Sequence, residues 1–245
     1  MSHSLKRVAL VTGANKGIGF ETALQLAREG YTVLLGARNT SRGQAAAEKV
    51  AAEGGDAQFL ALDVTDRETI LVTAQYIEAN FGKLDVLINN AGIGSPSDSS
   101  VGKADLSEVR SVFEANFFGA LAVTQAMLPL LRKASSARIV NVSSGLGSLA
   151  RHSDPDWEFG AIQMIGYNGA KAALNMATVL LAKELHATNI KVNSVAPGFT
   201  ATDLNGGGPG AQTATEAAQV SVMAALLPDD GPTGGFIGQS ADEPW

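Results

Sequence analysis

Val8-Ala9-Leu10-Val11-Thr12-Gly13-Ala14-Asn15-Lys16-Gly17-Ile18-Gly19 is the stretch on which the fold turns. Residues 8–11 have the length and branching of a buried strand, and over 17–29 the pattern becomes helical. Between them the glycines allow a tight turn that brings backbone N–H groups up to a pyrophosphate at the helix N-terminus. The spacing is Gly-x-x-x-Gly-x-Gly rather than Gly-x-Gly-x-x-Gly, yet strand, glycine turn and helix come in the order that a dinucleotide site needs. Gly13, Asn15, Lys16, Gly17, Ile18 and Gly19 are therefore candidate cofactor-binding residues.

The alternation continues outward. Apolar runs at 32–36, 58–61, 84–89, 138–142 and 191–195 read as strands buried on both faces. Helical patterns fill 41–53, 66–81, 106–132 and 165–185 between them. Such alternation predicts βαβ units, and so an α/β fold with a doubly wound parallel sheet of Rossmann type. No linker divides the chain, so a single domain over 1–245 is expected.

At 45% hydrophobic and 17% charged, the 245-residue chain can bury a full core. A net charge of −6 argues against nucleic acid or an anionic membrane surface as partner. Without cysteine there are no disulfides and no thiolate metal sites, which fits a reducing, cytoplasmic setting. No apolar run approaches the ~18 residues of a spanning helix. The run after Lys6-Arg7 breaks at Thr12-Gly13, too soon for a signal peptide.

A dinucleotide site of this kind usually reads the ribose with an acid at the end of strand two. Here that place holds Gly36-Ala37-Arg38-Asn39, with no carboxylate. Arg38 is a planar fork suited to a 2′-phosphate, and Lys16 can add a second charge, so NADP(H) is the expected cofactor. Asp63, at the end of strand three, can accept from an adenine amino group or cap the next helix, although Thr65 and Asp66 are better placed for capping.

Further along, Tyr167 and Lys171 stand four residues apart on a predicted helix. They share a face, and a cation near a phenol of pKa about 10 favours the phenolate. Ser143 and Ser144 end strand five and point to opposite faces if the strand stays regular. His152, Asp154 and Asp156 lack any ligand spacing, so no metal is expected.

As an ordered set, Thr12-Gly13-x-x-x-Gly17-x-Gly19, Asp63-Val64, Asn89-Asn90-Ala91-Gly92, Asn116, Ser143-Ser144, Tyr167-x-x-x-Lys171 and Pro197-Gly198 resemble the short-chain dehydrogenase/reductase family. NADPH-dependent carbonyl reductases look closest, through 13–19, Ala37-Arg38 and 42–46. The resemblance implies that Asn116, Ser144, Tyr167 and Lys171 are catalytic. Ser144 would bond the substrate oxygen, Tyr167 give the proton, Lys171 lower the phenol and grip the ribose, and Asn116 hold a helix kink and a water in the relay. It also implies that Val64, Asn90, Ala91, Gly92, Tyr167, Lys171, Pro197, Gly198, Thr200 and Thr202 border the cofactor, with 195–198 facing the nicotinamide.

Ser144 and Tyr167 lie 23 positions apart, more than in many members, which reads as an insertion over 149–166. Its Trp157 and Phe159 either cover apolar surface or wall the substrate pocket. The tail 234–245 lacks the usual tetramer-building segment, so a monomer is favoured with a dimer second. Residues 199–226, with the glycine-rich stretch 206–210 and a helical pattern at 215–226, are expected to form a substrate lid. The function expected is a carbonyl reductase acting on a small ketone or aldehyde. Alternatives are an oxoacyl-carrier-protein reductase, a secondary-alcohol dehydrogenase and, outside enzymes, a cofactor-sensing binding module.

Overall fold

Strand β1 (Val8–Thr12) is buried at every residue in the computed structural model, which describes residues 6–204, 206–239 and 241–245. Val8 and Leu10 enter one hydrophobic core, Ala9 and Val11 the other, as strand alternation requires. Six more strands join it: β2 (Thr32–Ala37), β3 (Asp56–Ala61), β4 (Val86–Asn89), β5 (Ala137–Val142), β6 (Ile190–Val195) and β7 (Phe236–Ile237). The order is β3-β2-β1-β4-β5-β6-β7, and every pairing is parallel. After β3 the chain crosses to the far side of β1, so β1 and β4 are neighbours whose helices leave in opposite senses. That reversal opens a crevice at their carboxyl ends.

Helices α1 (Gly17–Arg28), α2 (Thr40–Ala52) and α8 (Ala214–Ala225) contribute to the core containing Ala9 and Val11. Helices α3 (Arg67–Phe81) and α5 (Gly119–Leu131), with the end of α7 (Ile165–Glu184), cover the opposite face. Each fully buried Leu, Ile or Val there contributes about 1.5–3 kcal/mol. Just before the carboxyl edge runs a buried polar ladder. Asn89 donates to Thr124 Oγ1 at 2.9 Å and Asn141 Oδ1 at 2.8 Å. Asn141 donates to Thr178 Oγ1 at 2.8 Å, which meets Ser194 Oγ at 2.8 Å. Losing one partner would strand a buried polar group at a cost of about 1–3 kcal/mol, so the ladder holds β4, β5 and β6 in register beside α5 and α7.

Several expectations need correction. The single helix expected at 106–132 is α4 (Leu106–Phe113), a π turn (Glu114–Phe118) and then α5. Inside the insertion lies a short helix, α6 (Leu149–Ser153), and β7 was not anticipated. The helical part of the expected lid does not ride free. In α8, Ala217, Ala218, Val220, Ser221, Val222, Ala224 and Ala225 are buried, and a Thr213–Glu216 capping box fixes its start. Small residues let it pack closely as part of the helical layer. Asn205, within the expected lid, and Ser240, within the tail, lie outside the described residues.

Candidate active site

A cleft of about 1720 Å³ follows the carboxyl edge of the sheet. Every expected site residue lines it except Asn116 and Val195. On the β1 side, Gly13 turns at φ +66°, a conformation that L side chains rarely adopt. Asn90 ties this turn to β4 by donating from Nδ2 to Thr12 O at 2.9 Å. The N–H groups of Asn90 and Ala91 donate to Thr12 Oγ1, each at 3.0 Å. No side chain caps the N-terminus of α1, whereas Asn39, Asp66 and Asp105 cap α2, α3 and α4. An uncapped helix start behind a glycine turn, with Gly13, Gly17 and Gly19 on the cleft, suits the pyrophosphate of a dinucleotide. Arg38 is exposed at the end of β2, with no carboxylate paired to it among the described residues.

Lys16 also lines the cleft and is paired with Asp203 at 2.5 Å, both largely exposed. The pairing draws the Asp203 carboxyl below its usual range. Asp66 caps α3, while Asp63 Oδ1 accepts from Thr65 N at 3.0 Å and Thr65 Oγ1 at 2.8 Å.

On the β5 side the tandem serines separate as the alternation requires. Ser143 is buried and donates to Lys171 O at 3.5 Å, whereas Ser144 lies on the cleft beside Tyr167. Part of Tyr167 stays open to the cleft, yet burial pushes its phenol above 10.0, with the Ser144 hydrogen bond pulling weakly the other way. Lys171 is 4% exposed; its Nζ donates to Val142 O at 2.7 Å and lies 5.6 Å from the Tyr167 ring centroid. Burial lowers Lys171 to about 8. In this structure burial sets the direction of the shift at both groups, raising the phenol and lowering the lysine.

Asn116 sits in the π turn, 1% exposed. Its Oδ1 accepts from Ile93 N at 2.7 Å and its Nδ2 donates to Ile93 O at 2.8 Å. The carboxamide therefore braces the chain leaving β4 rather than facing the cleft. A Cβ on Gly92 would lie 3.3 Å from Asn116 Oδ1 and 3.7 Å from Lys171 Nζ, so all three meet at one point.

The segment after β6 is bound to the sheet edge through Gln212. Its Nε2 donates to Pro197 O and, at 3.3 Å, to Thr200 Oγ1, while its backbone N donates to Phe199 O at 3.0 Å. Thr200 and Thr202 line the cleft; Val195, one residue short of it, is buried in the core. Across the cleft, His152, Trp157, Phe159 and Phe199 form a chain of rings with centroid spacings of 4.8, 5.8 and 6.1 Å. It joins the insertion to the segment after Gly198. Arg151 and Glu243 close one side as a 2.5 Å ion pair.

Sequence reasoning gave no individual role to Arg42, Asp98, Phe199, Asp203 or Glu243, all of which line the cleft, although Phe199 and Asp203 fall within the expected lid. Only Arg42, four residues beyond Arg38 in a basic helix start, left a local signal.

Comparison with known proteins accords with this arrangement. The family described as short chain dehydrogenase matches residues 7–209. The short-chain dehydrogenase anuI of Penicillium roqueforti is 40% identical over 92% of this chain and 90% of its own. Salutaridine reductase of Papaver bracteatum is 36% identical over 94% of this chain and 93% of its own. An NADPH-bound carbonyl reductase from chicken fatty liver superposes with a TM-score of 0.85 at 28% identity, covering 98% of this chain and 99% of that one. The chain belongs to the short-chain dehydrogenase family, oxidoreductases that use nicotinamide cofactors.

Proposed function

We propose that the protein is an NADPH-dependent carbonyl reductase, acting on a ketone or aldehyde with Tyr167 as proton donor. The observation that carries this reading is the placement of Ser144, Tyr167 and Lys171 in one cleft with the glycine turn. A phenol is protonated at neutral pH, as a donor to a carbonyl oxygen must be, and here it is hydrogen-bonded with Ser144. Ser144 holds that oxygen. Charge builds there in the transition state, so the fixed Ser144 and Tyr167 donors stabilise it more than the ground state. Lys171 keeps most of its charge below pH about 8 and has N–H donors left beyond Val142 for a ribose hydroxyl. Asn116 positions the β4 end through Ile93.

Bound NADPH supplies the hydride. Gly13, Asn15, Gly17, Ile18 and Gly19 would hold its pyrophosphate, Arg38 and Lys16 the 2′-phosphate, and Asp63 and Val64 the adenine. Asn90 to Gly92, Pro197, Gly198, Thr200 and Thr202 would border the nicotinamide and its ribose. The expected lid narrows to 199–213, ahead of the buried α8, and the insertion 149–166 walls the substrate with Trp157 and Phe159. Among the described residues no helix is long and apolar enough to cross a membrane. The absence of cysteine supports a cytoplasmic setting, and we favour a monomer.

Following cofactor absorbance with NADPH and NADH across aldehydes, ketones, quinones and secondary alcohols tests the reading. It expects carbonyl reduction with NADPH preferred; turnover confined to alcohols, or none, contradicts it.

A further inference from the structure

Helix α7 carries Tyr167 and Lys171 but has no capping side chain of its own. Met164 stands at its N-cap, and no acidic residue lies in its first turn. The first N–H groups of a helix find no partner within it. Here the loop after β4 supplies them. Ile165 N donates to Ser99 O at 3.1 Å, Gly166 N to Asp98 Oδ1 at 2.9 Å and Tyr167 N to Asp98 Oδ2 at 2.7 Å. One carboxylate therefore grips two successive amides, the second belonging to Tyr167 itself. Bonds of this charge-assisted kind are strong, and a helix N-terminus favours the anion.

Gly166 is part of the same device. A Cβ at this position would lie 2.9 Å from Asp98 Oδ2 and 3.2 Å from its Cγ, so any other residue would push the carboxylate away. Asp98 also lines the cleft, on the loop that Asn116 braces at Ile93. The clamp thus links the cleft wall to the backbone of the tyrosine.

We propose that Asp98 is a positioning residue for the reaction: by clamping the Gly166 and Tyr167 amides it fixes the phenol relative to Ser144. This rests on the reading of Tyr167 as proton donor. Misplacement of a reacting group by ~1 Å costs about 10²-fold in rate, and the phenol sits at the end of a side chain whose backbone is held by this contact.

The test compares Asp98→Ala, Asp98→Asn, Gly166→Ala and the Asp98→Ala/Gly166→Ala double variant with the unaltered protein and Tyr167→Phe. Asp98→Ala should lower kcat by about 10- to 100-fold, in line with that misplacement cost, with NADPH affinity nearly unchanged. Asp98→Asn keeps one acceptor oxygen and should fall between. Gly166→Ala should mimic Asp98→Ala, although alanine for glycine inside a helix ordinarily stabilises it. Because both changes break one contact, the double variant should be no slower than the worse single one. Hydrogen exchange at amides 166 and 167 should quicken in each clamp variant, whatever the turnover. Unchanged kcat and exchange in Asp98→Ala, or losses that multiply in the double variant, would overturn the clamp while an inactive Tyr167→Phe leaves the functional reading standing. An active Tyr167→Phe overturns that reading instead, and with it the catalytic purpose of the clamp.

Discussion

Around the glycine turn, the groups lining the cleft come largely from one stretch, 13–19, and the strand ends beside it. Around Tyr167 they come from 98, 144, 157, 199 and 243, brought together from across the chain. The two helices that border these regions differ in the same way. The N-terminus of α1 has no side-chain cap and opens toward the cleft, whereas that of α7 is closed by a carboxylate 68 residues away in sequence. A site made of backbone amides needs only a local turn. Aligning a phenol with a serine needs long-range contacts.

Changes at the junction should break this contrast most severely. On the proposed reading Lys171 serves both halves, so in Lys171→Ala turnover should fall by at least about 10²-fold, on the scale of a lost acid–base group, and NADPH should bind more weakly. Steady-state kinetics and cofactor titration check both. Full cofactor affinity in this variant would confine Lys171 to the catalytic half.

Arg38→Asp should act on the cofactor half alone. It replaces an attraction of about 1–3 kcal/mol with repulsion, so the preference for NADPH over NADH should reverse. The ratio of kcat/KM for the two cofactors is the readout, and an unreversed ratio would move phosphate recognition to Lys16 or Arg42.

The substrate half should respond differently. Trp157→Ala removes the middle of the ring chain and should raise KM for bulky carbonyls about tenfold, the scale of roughly 1.4 kcal/mol of lost contact, while NADPH affinity holds. Equal effects on small and bulky carbonyls would mean that the rings do not wall the substrate.

The smallest effect is a shift with pH. Lys171 is lowered from 10.5 to about 8, so kcat/KM should decline above about pH 8 rather than near 10.5. Stability should move the opposite way. Between those values the unfolded chain binds the proton that the folded one releases, so this lysine's contribution to stability rises with pH. Denaturation at pH 7 and pH 10, set against Lys171→Met, isolates that contribution.

The contrast also explains what could be read from the sequence. Strands β1 to β6 were legible because short apolar runs have few other uses, although β3 starts two residues ahead of its run at 58–61. The glycine turn was legible because its chemistry is contiguous. Strand β7 spans only Phe236–Ile237, too short for any periodicity to register. The π turn between α4 and α5 spans only Glu114–Phe118, too few residues to register against the helical period, so 106–132 looked continuous. Glycines at 206–210 suggested mobility for the whole segment to 226, but burial of small residues in α8 is a tertiary property. Asp98 carries no local signal, since nothing near it in sequence names Gly166 or Tyr167 as its partners.

The central claim, that cofactor binding and proton transfer belong to separable halves of one cleft, is tested most directly at Tyr167. Tyr167→Phe keeps the ring and removes only the hydroxyl. NADPH binding by titration and carbonyl turnover by cofactor absorbance should be measured on the same preparation. The account expects unchanged NADPH affinity with turnover lost; substantial turnover, or loss of NADPH binding, would contradict it.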